Sequence, residues 1–416
     1  MQAADINPVS PAHQTQTPFD LFVIFAGANI VATTLQVGAS LAAHTPFRTA
    51  LGIIATGVVL GSLLVASLAP IGPRLGVPSI VAARAALGIR GAGTVAAVLY
   101  VTNFAWIAVN NVIAASVAAQ VFGGPGSQHW WMLIVGFVST AVVAGGPHAV
   151  RLADRIAVPL LVAVGGVLTW AVLRAPAPPT PVGDGGTLTW TRGLDVVAGY
   201  QVSWVLMFAD YSRFTRSERG AFGGVFLGLA LTSLWLMPLG LAAARVAGSS
   251  DPGMMLHAVG LGWWGAALMV LATLTTNFVN IYLSGLALRS LFPGSREQPV
   301  IWSIGAIGTL LAIFGGRWLD RYVDFMLVLG GVLVPIGGVL LAHFFLARRA
   351  VSVPDLYDAR GPYGRTRGFS IPGLVAWAAG AVAYAAGGTV GGGTLPALIT
   401  AVVVYLIALR IITARG

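Results

Sequence analysis

Phe25-Ala26-Gly27-Ala28-Asn29-Ile30 lies inside an apolar run from 19 to 43, and Ala198-Gly199-Tyr200-Gln201 lies inside another from 193 to 212. Both runs are long enough for a membrane span, and both are interrupted by Gly followed two residues later by a side-chain amide. In lipid, a backbone can leave helical geometry only where protein or a water-filled cavity satisfies the freed groups, so such interruptions mark candidate binding sites. The plainer reading of each Ala-Gly pair is a close-packing position in a helical bundle.

The rest of the chain supplies the lipid setting. Of 416 residues, 57% are apolar and only 9% charged, with a mean hydropathy of +0.85. A water-soluble globule does not reach these values. A hydrocarbon core of about 30 Å takes roughly 20 apolar residues per helix. Apolar stretches fall at 19–43, 49–71, 92–121, 130–145, 152–173, 193–212, 221–245, 262–288, 299–315, 323–347, 370–387 and 391–412, which makes twelve spans. None shows the period-2 alternation of a porin strand, so the fold class is an all-α polytopic membrane protein.

All 23 basic residues are Arg, and there is no Cys. With the N-terminus cytoplasmic, seventeen Arg fall in inside loops, from Arg74, Arg84 and Arg90 through Arg213, Arg216 and Arg219 to Arg410 and Arg415. Outside loops hold six: Arg48, Arg174, Arg192, Arg245, Arg317 and Arg321. The positive-inside rule therefore selects both termini inside, as expected for a bacterial inner-membrane protein. Topology accounts for the formal charge of +10 without nucleic acid, which would need a basic stripe with interleaved aromatics. Residues 1–18, polar and without a basic n-region, read as a disordered cytoplasmic tail. A Pro- and Gly-rich stretch, 175–186, divides a first five-helix repeat, 19–174, from a second, 187–347; a basic connection then leads to a terminal pair at 370–412.

In the third span Asn103, Trp106 and Asn110 are three and four apart and share one helix face. Amides facing lipid are costly, so this face turns to the bundle interior or a cavity, where an aromatic plane with an amide one turn either side suits a planar heteroaromatic ring. The alternative is an interhelical amide contact beside a packed Trp. In the eighth span Ala272, Thr275 and Thr276 offer a carbonyl and two hydroxyls, a hard-cation set, although Thr hydroxyls commonly satisfy their own helix. No carboxylate sits at mid-depth, which favours an uncharged solute and a coupling ion held by neutral oxygens over a proton relay.

Together, Phe25–Ile30, Gly72-Pro73-Arg74-Leu75-Gly76, Asn103 to Asn111, Thr275-Thr276-Asn277 and above all Ala209-Asp210-Tyr211-Ser212-Arg213-Phe214 resemble the nucleobase:cation symporters of the first type, over about residues 19 to 412. That family includes cytosine, hydantoin and hydroxymethylpyrimidine permeases. The resemblance implies a leucine-transporter-like fold, a five-plus-five inverted repeat with two peripheral helices, and alternating access coupled to sodium or protons. It implies that Trp106 stacks on the solute ring, with Asn103 and Asn110 on its heteroatoms and the stretch Tyr200, Gln201 to Ser203 on the broken sixth helix opposite. Where relatives put a second stacking aromatic this chain has Gln201 beside Tyr200, which leaves the solute open. The resemblance also implies a solute-binding Asn at Asn277 or Asn280, and a sodium site at the carbonyls of Ala26 and Asn29 with Ala272, Thr275 and Thr276.

The leading expectation is a sodium-coupled symporter importing a small, planar, uncharged nucleobase-like solute such as cytosine; a permease for hydroxymethylpyrimidine (a thiamine precursor), hydantoin or allantoin, coupled to protons, is the alternative. No cofactor beyond the coupling ion is expected. The bilayer and a small-molecule solute are the expected partners, and oligomeric state is open. An embedded enzyme would need paired acid, base or metal ligands, whereas His13, His44, His129, His148, His257 and His343 are scattered at span ends. No nucleotide-binding loop is present.

Overall fold

The computed structural model describes residues 6–124, 126–175, 188–291, 295–315 and 318–413. The proline-rich joint between the expected repeats lies almost wholly outside them. The broken first span is α1 (Pro18–Asn29) and α2 (Ala32–Ala42), bent by 56°. Then follow α3 (Phe47–Leu68), the short α4 (Ile71–Leu75) and α5 (Ser79–Leu87), α6 (Ile89–Phe122), α7 (Gln128–Ala144) and α8 (Pro147–Arg174). The second half holds α9 (Trp190–Val202), α10 (Glu218–Ala247), the short α11 (Pro252–Ala258), α12 (Gly262–Leu291), α13 (Glu297–Phe314) and α14 (Tyr322–Leu341). After the four-residue α15 (Arg365–Gly368) come α16 (Ile371–Val390) and α17 (Thr394–Thr413). Every apolar stretch read from the sequence falls on one of these helices or helix pairs. Among the described residues, eight helices are long and apolar enough to cross a membrane, or nine with the bent pair taken as one span.

Both interruptions lie later than their sequence signals. α1 stays helical through Asn29, and the non-helical residues are Ile30 (φ −81°, ψ 77°) and the extended Val31 (φ −139°, ψ 160°). The carbonyl freed at Asn29 accepts the Thr34 hydroxyl at 2.6 Å, so the break sits where a side chain can replace the missing backbone donor. On α9, residues 198–201 are helical, and the chain tightens into a 3-10 turn only at Ser203–Met207. Gly199 is a packing glycine: a Cβ there would run into the Met326 carbonyl on α14.

Much of the packing is kept when the two halves are exchanged, the exception being that α8 packs on α12 whereas α14 packs on α9. The α1–α2 pair packs on α10, and its counterpart α9 packs on α3; α6 packs on α12, and α7 on α13. The last contact interlocks reciprocally. Gly136 of α7 faces the Thr309 side chain, and Gly305 of α13 faces that of Thr140. In each helix the Thr hydroxyl donates to the carbonyl of its own Gly four residues earlier, at 2.7 Å. Two bodies result, one of α1, α2, α3, α9 and α10, the other of α6, α7, α12 and α13. The terminal pair α16 and α17 packs against α14.

Residues 6–18 are placed by contacts, in contrast to the disorder their composition suggests. Gln14 donates to the Pro73 carbonyl at 3.1 Å and the Arg213 carbonyl at 3.2 Å, and Gln16 N–H donates to the Phe214 carbonyl at 2.9 Å. Arg213, taken from the sequence as a loop charge, is fully buried and donates to the Asn7 carbonyl at 3.4 Å. The tail has few apolar residues, but its amides meet carbonyls at the ends of short helices that would otherwise have no partner. At the same rim Arg74 grips Glu218 through two bonds, of 3.2 and 2.7 Å.

Two glycines carry the tightest crossing. A Cβ on Gly38 would strike the Met237 carbonyl, and one on Gly240 the Leu35 carbonyl. Backbone cannot yield as a flexible side chain can, so Gly38→Val should destabilise the protein by about 1–3 kcal/mol or more. Thermal unfolding in detergent checks this: Gly38→Val is expected to lower the midpoint well below that of Gly223→Ala, whose Cβ meets nothing.

Candidate functional site

Between the two bodies lies a cavity of about 460 Å³, with walls from α1, α2, α6, α9 and its 3-10 turn, α12 and α14. It forms at the two breaks because the helices part there. Asn103, Trp106 and Asn110 of α6 all line it, as the unbroken helical spacing requires. Trp106 is held edge-on by Tyr200 (centroids 5.9 Å apart) and Phe325 (5.0 Å). Tyr200 and Ser203 line the wall contributed by α9 and its 3-10 turn, and Thr275, Thr276 and Asn280 that of α12.

Other expected site residues lie elsewhere. Gln201 is fully buried behind the wall, donating to Ser62 Oγ at 2.9 Å and accepting from Ser233 Oγ at 3.3 Å. One residue along a helix rotates the side chain by about 100°, so Tyr200 and Gln201 cannot both face the cavity. Asn277 is likewise turned away, donating to Asn111 Oδ1 at 2.7 Å. Of Asn277 and Asn280, only Asn280 lines the cavity. Ala26, Asn29 and Ala272 do not line the cavity, whereas Gly27 and Ala28 do. The Ala26 carbonyl accepts Ile30 N–H at 3.0 Å. The Ala272 carbonyl accepts both the Thr275 hydroxyl, at 2.7 Å, and the Thr276 hydroxyl, at 3.2 Å.

Residues not picked from the sequence complete the walls, chiefly Trp204, Met207 and Tyr211 after the α9 break, and Thr33 of α2. Trp204 and Met207 are three apart, the repeat of a 3-10 turn, so one signal existed once that turn was known.

The polar character of the cavity is specific. No lining residue carries a charge. Asn103 Nδ2, both side-chain polar atoms of Asn110 and Trp204 Nε1 are buried yet have no hydrogen-bond partner in the chain. Buried polar atoms are nearly always paired, so these four, three on the α6 wall and one on the 3-10 turn after α9, fit a ligand with complementary edge atoms. Among the described residues no three His, Asp or Glu cluster as a metal site.

A family described as permeases for cytosine/purines, uracil, thiamine and allantoin matches residues 8–407. The chain belongs to this family, the nucleobase:cation symporters of the first type. The permease is 24% identical to the cytosine permease of Escherichia coli (strain K12) over 339 residues, covering 79% of this chain and 78% of the relative. It is also 24% identical to the allantoin permease of Bacillus subtilis (strain 168), over 91% of this chain and 85% of that one. Among solved structures, the inward-facing conformation of Mhp1 superposes with a TM-score of 0.84 at 19% identity, covering 98% of this chain and 95% of that one. The closed conformation of Mhp1, a nucleobase-cation-symport-1 family transporter, with bromovinylhydantoin bound gives 0.81 at 19% identity over 99% and 95%. The solved structures show the leucine-transporter-like fold, and the family is one of transporters, not enzymes.

Asn277 and Asn280 should therefore respond differently to substitution. Asn280→Ala is expected to change solute affinity at unchanged stability. Asn277→Ala, which strands Asn111 in the interior, should cost about 1–3 kcal/mol of stability and leave affinity per folded molecule at the wild-type value. Thermal unfolding and equilibrium binding, run on both proteins, check the contrast.

Proposed function

We propose that this permease carries a small, planar, uncharged nucleobase-like solute across the bacterial inner membrane by alternating access, coupled to sodium. The observation that carries the reading is Trp106 on the cavity wall, flanked along α6 by Asn103 and Asn110, whose Nδ2 atoms have no partner in the chain. A ring laid against the indole would meet those amides at its edge, and a charged solute would find no counter-charge on the wall.

Sodium coupling rests on oxygen chemistry. Thr275 and Thr276 spend their protons on the Ala272 carbonyl, so their lone pairs are left to accept, which is what a hard cation requires. The carbonyls of Ala26 and Asn29 at the end of α1 each accept one hydrogen bond and retain a second lone pair for the same ion. A second reading of the solute is favoured by Trp204, whose indole N–H is a donor only and is buried without a partner. A ring bearing carbonyls, as in hydantoin or allantoin, would take that proton better than one bearing only an amino group.

Base stacking on an aromatic is worth roughly 1 to 3 kcal/mol by alanine substitution, so Trp106→Ala should weaken solute binding by about 5- to 150-fold per folded molecule, with Trp106→Phe keeping much of the affinity. Equilibrium binding of a panel of radiolabelled bases to the purified proteins measures this, and an unchanged affinity for Trp106→Ala would remove the stacking site. In proteoliposomes, exchanging sodium for choline is expected to abolish uptake, and Thr276→Ala to weaken the sodium dependence. Uptake that ignored sodium and followed a pH gradient would replace sodium with protons as the coupling ion.

A further inference from the structure

The connection from α14 to α16 carries Arg348, Arg349, Arg360, Arg365 and Arg367 against two carboxylates, Asp355 and Asp358. None of these arginines forms an ion pair with either carboxylate; Asp358 Oδ1 instead accepts the Arg360 backbone N–H at 2.8 Å. The last stretch of the connection is pinned to the junction between α5 and α6. Ser370 N–H donates to the Leu87 carbonyl at 2.8 Å. A Cβ on Gly88 would run into the Gly368 carbonyl, and one on Gly368 would meet the aliphatic stem of Arg90. Arg90, the second residue of α6, therefore lies along the turn that carries Arg365 and Arg367, and all three arginines are exposed. Thr366 (φ 54°, ψ 43°) and Arg367 (φ 57°, ψ 27°) are both left-handed, a conformation that L side chains, β-branched ones above all, adopt only at a cost. Three like charges are thus collected at one place by a strained backbone. The positive-inside rule does not require this, because it counts arginines in a loop and is indifferent to where in the loop they converge.

Two membrane spans begin at the same place. On α16, Ile371 and Val375 are exposed one turn apart, and on α6 the exposed face runs through Thr94, Ala97 and Val101. The helices meet at their feet, where a Cβ on Gly91 would touch Leu374 and Phe369. We propose that Arg90, Arg365 and Arg367 bind the phosphate of an anionic glycerophospholipid of the cytoplasmic leaflet, whose acyl chains lie on the exposed faces of α6 and α16. A phospholipid joins a phosphate to hydrocarbon in one molecule, which is the combination this corner presents in mirror image: cations at the end of the spans and apolar side chains directly beyond them. Guanidinium groups suit the task, since their planar forks take phosphate oxygens in pairs. A bound phosphate offsets both the mutual repulsion of the three arginines and the strain at Thr366 and Arg367. It also fastens the 365–370 turn to the foot of α6, the helix that carries Trp106 into the cavity.

Protein purified in an uncharged detergent and stripped of lipid is titrated with phosphatidylglycerol, bound lipids being counted by native mass spectrometry and the thermal unfolding midpoint read in parallel. Phosphatidylglycerol is expected to bind and to raise the midpoint, and phosphatidylcholine at the same concentration to do neither. Arg90→Gln and Arg367→Gln should each weaken phosphatidylglycerol binding about fivefold, the weight of one arginine at an anionic surface. Arg216→Gln, which removes an exposed arginine from the connection between α9 and α10, should leave binding unchanged. Arg365→Gln gives the same reading where either of the first two variants fails to fold. Equal binding of the two lipids would overturn the proposal, as would wild-type affinity in Arg90→Gln and Arg367→Gln. A loss in Arg216→Gln as large as that in Arg367→Gln also counts against it, since diffuse surface charge predicts that result. Inorganic phosphate that raises the midpoint by itself and displaces the lipid would replace the phospholipid with a free anion. The titration uses no transported solute, so its outcome is separate from the identity of the base and of the coupling ion.

Discussion

Everything in this molecule turns on the rule that a backbone carbonyl or amide inside a bilayer must have a partner. A membrane helix is stable because it supplies all of them internally, and it can be interrupted only where something else supplies the missing ones. At the first break the supplier is Thr34, whose hydroxyl takes the Asn29 carbonyl. At the second, Ser203 donates both its backbone N–H and its hydroxyl, the latter at 2.7 Å, to the Tyr200 carbonyl. The cavity exists because the chain leaves α geometry at these two places.

That dependence explains how far the sequence could be read. Asn103, Trp106 and Asn110 sit on α6, an uninterrupted helix of 34 residues, where a spacing of three and four fixes the shared face whatever the neighbours do. The span pattern and the fold were legible for a similar reason, since hydrocarbon thickness sets helix length independently of packing. Gln201 and Asn277 were not legible. Each is one residue from a true wall residue, Tyr200 and Thr276, and which of two adjacent side chains faces the cavity depends on helix rotation set by packing elsewhere. Trp204, Met207 and Tyr211 escaped because the helical period changes from 3.6 to about 3 beyond Val202, and no local residue type announces the change. The docked N-terminal segment escaped because composition describes a segment alone, while Gln14 and Gln16 are held by carbonyls some 60 to 200 positions away in the chain.

Polar residues in the interior divide into those that bind within a body and those left facing the cavity. In the second body, Asn277 donates to Asn111, and Asn111 donates to Thr309 Oγ1 at 3.3 Å, tying α12, α6 and α13 together. Asn110, one position from Asn111, has neither side-chain atom paired. Two consecutive asparagines thus do opposite work, one joining helices and one presented to the cavity, and the 100° turn between them separates structural from recognition chemistry.

The reciprocal seat of Gly136 on Thr309 and of Gly305 on Thr140 carries one more consequence. The segments 136–140 and 305–309 share the pattern Gly-x-x-x-Thr, run in opposite directions through the membrane, and present each residue type to its opposite. This is the geometry that two copies of one helix would make across a two-fold axis lying in the membrane plane, where a single sequence specifies both sides of the contact. Here one chain holds both sides, so the interface does not require two separate molecules to meet in opposite orientations. Either side is now free to diverge, provided the small residue and the hydroxyl remain opposed.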